Sequence, residues 1–92
     1  MKIIIKERFN DELNEILAFI AKDSLDEAVK FYDNVYDKIH TIPFMPNRFP
    51  KNRIANQENI RNLLFKGYII PFVISDEAIE ILGIYKHNVW EY

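Results

Sequence analysis

A change of period constrains this chain more than any other feature. From Phe9 to Thr41 apolar residues recur every three or four positions, whereas beyond Pro50 they alternate every two. A helical layer is therefore followed by a sheet layer. Phe9, Leu13, Ile16, Leu17 and Ile20 form the stripe of an amphipathic helix expected over residues 9–22. Ser24 and Glu27 then have the spacing of a capping box. Leu25, Ala28, Val29, Tyr32, Val35, Tyr36 and Ile39 carry a second helix to about Thr41, and Pro43 stops it. The connection between the two is so short that they must run antiparallel, as a hairpin.

"KIIIK" near the N-terminus reads as a strand of high β propensity. "IPFMPNRFPKNR" holds prolines at 43, 46 and 50 and reads as a loop crossing from the helices to the sheet. After it, "NIRNLLF", "YIIPFVIS" and "AIEILGIYK" are separated by Lys66-Gly67 and Ser75-Asp76-Glu77, connections short enough for hairpins. Pro71 cannot donate a ladder hydrogen bond, so a bulge or an outward-facing edge position is expected there. The reading is a single α+β domain over 1–92 in two layers: an N-terminal strand, an antiparallel helical hairpin and a three-stranded antiparallel meander. Together the strands are expected to make a four-stranded antiparallel sheet. Leu13, Ile16, Leu17 and Ile20 with Val29, Tyr32, Val35 and Tyr36 are the expected core.

Composition narrows the function class. At 92 residues, 49% hydrophobic and without cysteine, the chain has one core and neither a disulfide framework nor a thiolate zinc site. A reducing cytoplasm is the expected location, with no secretory signal and no membrane span. No metal and no cofactor is expected. The net charge of −2 conceals a segregation. Acidic residues dominate Glu7 to Asp37, while Arg48, Lys51, Arg53, Arg61 and Lys66 face only Glu58 over the next basic stretch. Such a segment suits an acidic partner or a phosphate backbone.

The C-terminal "EAIEILGIYKHNVWEY" ends an alternating strand on an imidazole, aromatics and a carboxylate. This tail, together with the Arg in "IRNLL", the Tyr in "GYIIPF", the Pro-rich crossing loop and the order of elements, resembles the RelE/ParE superfamily of toxins from bacterial toxin–antitoxin pairs, over roughly residues 2–90. The resemblance implies a cognate antitoxin as partner. It also implies one of two targets: RelE-like members are metal-free, ribosome-dependent endonucleases of mRNA, and ParE-like members poison DNA gyrase. His87 matches a C-terminal His of nuclease members and could act as general acid or base, and Arg61 matches a phosphate-contacting Arg. Arg61 could equally snorkel to the sheet edge or pair with Glu80. Arg48, Arg53, Lys66 and Lys86 are candidates for phosphate or partner contacts, and Tyr85 and Tyr92 for stacking on a base. Trp90 is more simply read as packing under the helices, and His40 as a harmless partner of the helix dipole. A pI near 5.6 and the long hairpin point to the ParE-like branch. A ribonuclease and a non-toxic binding module stay open as alternatives.

Overall fold

A computed structural model describes residues 1–55, 57 and 59–86. Strand β1 (Lys2–Ile5) is followed by helices α1 (Glu7–Ala21) and α2 (Leu25–Ile39), two 3-10 turns (Ile42–Phe44 and Pro46–Arg48), and strands β2 (Ile60–Phe65), β3 (Tyr68–Ile74), β4 (Ala78–Ile81) and β5 (Tyr85–Lys86). The hairpin closes as its sequence requires. The Ser24 hydroxyl accepts the Glu27 amide at 3.2 Å. The reciprocal half of the capping box is not used: the Ser24 amide donates to the Ile20 carbonyl, and the Glu27 carboxylate sits 3.7 Å from Lys30.

The sheet order is β1-β4-β3-β2, with β5 also paired to β3. β2, β3 and β4 form the antiparallel meander. β1 departs from the all-antiparallel expectation and lies parallel to β4, with Ile3 beside Ile79 and Ile5 beside Ile81. The hairpin returns the chain so that β1 adds beside the last long strand, not beside β2. Alternate residues of the sheet, Leu63, Phe65, Ile70, Phe72, Ile79 and Ile81, enter one buried cluster with Phe9, Leu13, Phe31, Val35 and Ile39 of the helices. Phe31 packs edge-on to both Phe65 and Tyr68, with ring centroids 5.5 Å apart in each case.

The expected last strand is broken in two. Phe72 pairs with Ile81 but Ile69 pairs with Tyr85, so one extra residue bulges out between β4 and β5. Pro71 lies opposite this break and is buried. The Ile74 amide donates to Asn59, and antiparallel alternation then turns the nitrogen of residue 71 away from β2. On the β4 side the Pro71 carbonyl accepts the Leu82 amide at 2.9 Å, and the regular ladder with β4 ends one residue away, at Phe72 and Ile81. The predicted bulge therefore exists, but in the neighbouring strand. The β2–β3 turn places Lys66 at φ 48° and Gly67 at φ 83°, the positive pair that a two-residue hairpin of right-handed twist needs.

Candidate functional site

Helix α2 carries more apolar surface than the core consumes. Ala28, Phe31, Val35 and Ile39 are its buried positions. Leu25, Val29 and Tyr32 lie one residue around the helix from that stripe and are 70%, 54% and 45% exposed. They correct the expectation that Val29 and Tyr32 are core. With Leu17, Ala18, Ala21 and Ala28 they line an apolar groove of about 380 Å³ between the helices. Three of the seven lining residues are alanines, whose small side chains leave room for another backbone to approach. Tyr36 closes the stripe, edge-on to Phe9 at 6.1 Å and tilted against Tyr32 at 4.8 Å. Burial, and then Tyr32, push its phenol pKa up.

The described site candidates are engaged by different local partners. Arg61 projects from β2 and donates to the carbonyls of Asn47 at 3.2 Å and Phe49 at 3.0 Å, which ties the crossing loop to the sheet. It does not pair with Glu80, because β3 separates their strands; Glu80 lies 3.6 Å from Lys6. Arg48 donates to the Thr41 hydroxyl and lies 4.3 Å from the centroid of the Phe49 ring. Arg53 is exposed on the same loop. Lys66 sits at the β2–β3 turn with its ammonium 5.4 Å from the Phe65 ring, and Lys86 lies 5.8 Å from the Tyr68 ring. Tyr85 is only 7% exposed, which leaves no free face for a stacked base and corrects that expectation. Burial raises its pKa, Asn52 lowers it through a hydrogen bond, and Glu12 adds to the rise. His87, Trp90 and Tyr92 lie outside the described residues. His40 caps α2 and its Nδ1 is 2.7 Å from the Tyr36 carbonyl.

Over residues 3–88 the sequence matches the profile of a family described as the ParE toxin of type II toxin–antitoxin systems, parDE. The chain belongs to the ParE toxin family. Among solved structures, a chain from the chromosomal ParDE toxin–antitoxin system of P. aeruginosa has the same fold, with a TM-score of 0.75 and 17% identity over 94% of this chain and 95% of that one. Comparison with curated protein sequences returns no match. No helix among the described residues is long and apolar enough to cross a membrane.

In this ParE-family chain a polar network missed by the sequence reading holds the far end of the sheet. Asn52, 1% exposed, donates to the Asn62 side chain at 2.7 Å, accepts the Ala55 amide at 2.9 Å and shares a hydrogen bond with Tyr85. Glu12 reaches from α1 to accept the Ile84 amide at 3.0 Å, inside the break between β4 and β5, and its other oxygen takes the Arg8 Nε at 3.3 Å. The one sequence signal was Asn62, a polar residue among the apolar letters of "IRNLLF". Nothing in "PKNR" marks Asn52.

Proposed function

We propose that this ParE-family chain inhibits DNA gyrase and is silenced by a co-encoded antitoxin that lays an amphipathic helix in the α1–α2 groove. The observation that carries the antitoxin contact is the unused apolar stripe Leu25, Val29 and Tyr32 beside Ala18, Ala21 and Ala28. A soluble domain gains nothing by exposing a contiguous apolar strip along one helix, unless a partner covers it. A helix presenting residues at i, i+3, i+4 and i+7 fits such a groove, and a continuing extended segment could reach the sheet.

Membership of the ParE toxin family supports gyrase as the target, the one that the resemblance implies for ParE-like members. The engagement of Arg61 by two loop carbonyls is in keeping with this reading, since it gives that guanidinium a structural task. The test places the purified chain in a gyrase supercoiling assay beside a ribosome-dependent mRNA cleavage assay. Inhibited supercoiling with intact mRNA is expected, and cleaved mRNA with unaffected supercoiling would reverse the assignment.

A further inference from the structure

We infer that the crossing loop, residues 41–55, is a second protein-docking surface, which takes an acidic surface of the toxin's target and is separate from the antitoxin groove. The loop is irregular yet fixed from beneath. Ile42 is buried, Phe49 packs edge-on to Phe72 at 5.4 Å, Asn52 is locked to Asn62, and Arg61 holds the carbonyls of Asn47 and Phe49. Prolines 43, 46 and 50 fix φ at three further points. A segment held in this way loses little conformational freedom when a partner arrives.

Its outer side is built from the residue types that dominate interface centres. Phe44 and Met45 are 83% and 64% exposed at successive positions on the junction of the two 3-10 turns, and Ile54 is 51% exposed further along. Arg48, Lys51 and Arg53 are exposed on the same segment, which contains no acidic residue, in a chain of net charge −2. The apolar anchors with cations around them complement an acidic protein surface that carries an apolar pocket. The apolar anchors beside the cations, on a chain with an acidic hairpin, favour a protein partner over a nucleic-acid backbone. The groove lies toward the N-terminal end of α2 and the loop beyond its C-terminal end. Tyr32, the last residue lining the groove, and Ile39 are separated by roughly 10 Å at the rise of an α-helix, and the loop begins beyond Ile39.

The inference rests on the toxin reading but not on gyrase being the target. The full chain is compared with two double variants, Phe44→Ala with Met45→Ala and Arg48→Glu with Arg53→Glu. Growth arrest on induction, supercoiling inhibition, antitoxin co-purification and melting temperature are measured. The expected result is a rise of about tenfold or more in the dose needed for arrest, as for truncation of interface anchors, with antitoxin capture and melting temperature unchanged. Arrest by the wild type without supercoiling inhibition would discard gyrase while leaving the loop to be judged on arrest. Full arrest by both variants would overturn the inference. So would loss of antitoxin capture by either variant, a DNA duplex bound by the wild type and released by the charge-reversed variant, conversion of an oligomer to monomer by either variant, or a wild type that arrests nothing.

Discussion

Position around α2 decides what an apolar residue does there. Val35 is fully buried in the cluster beneath the hairpin, whereas Val29, six residues earlier, stands mostly in solvent. Val35→Ala should therefore cost about 1 to 5 kcal/mol through lost burial and a cavity, and Val29→Ala should stay within about 0.5 kcal/mol, both read from urea unfolding. Two tyrosines give a second residue-level test. Tyr36 and Tyr85 hold their phenol protons above the ordinary value of 10.0, chiefly because burial opposes the charged form. Below that value folded and unfolded chains are both protonated, and the stability from these groups is fully present. As the pH rises past it the unfolded chain releases its protons first, so stability falls through the raised folded-state values. The urea midpoint should drop above about pH 10, and Tyr36→Phe should flatten that drop. Tyr85→Phe should flatten it too, but from a lower start, because Asn52 loses a partner.

Among the elements, the C-terminal half of the sheet depends on contacts made from elsewhere in the chain. Glu12 on α1 satisfies the Ile84 amide that the β4–β5 break leaves without a ladder partner. Glu12→Ala should cost about 1 to 3 kcal/mol by stranding that donor, and Glu12→Gln, which keeps an acceptor, should lose less. The β2–β3 turn makes an independent test. A Cβ added at Gly67 would meet no atom within 4 Å, so any penalty there belongs to the backbone at φ 83°. Gly67→Ala should destabilise by about 1 to 2 kcal/mol. Lys66→Asn, which suits the left-handed region better, should stabilise by less than about 1 kcal/mol. Chemical denaturation of both variants checks the pair.

At the scale of the whole molecule, the two layers share one core, and both the hairpin groove and the crossing loop leave apolar side chains exposed. If the groove takes the antitoxin, a synthetic antitoxin helix at 100 times its dissociation constant should raise folding stability by about 2.7 kcal/mol. Val29→Glu should abolish that rise while the free chain keeps its own melting temperature, because the position is already wet. A variant that unfolds outright would instead place Val29 in the core.

How much was legible depended on whether the signal was local. The helical hairpin, its Ser24 cap, the Lys66-Gly67 turn and the meander follow from periodicity, capping chemistry and the conformational freedom of glycine, each contained in a few neighbouring residues. The sequence stripe on α2 was correct in period and included the buried Ala28, Val35 and Ile39, but it extended too far around one side of the helix. Leu25, Val29 and Tyr32 obey the same repeat as the buried positions, Phe31 was passed over, and only the docked sheet selects which arc is covered. Arg61, Asn52 and Glu12 likewise took their roles from partners 10 to 72 residues away. The parallel placement of β1 and the bulge that accommodates Pro71 were also tertiary outcomes, because strand pairing joins segments whose own residues carry no record of which neighbour they will meet. The sequence by itself determined which elements form and where they turn; the tertiary structure decided which face each buries, since burial is a property of the assembled layers and not of any one stretch.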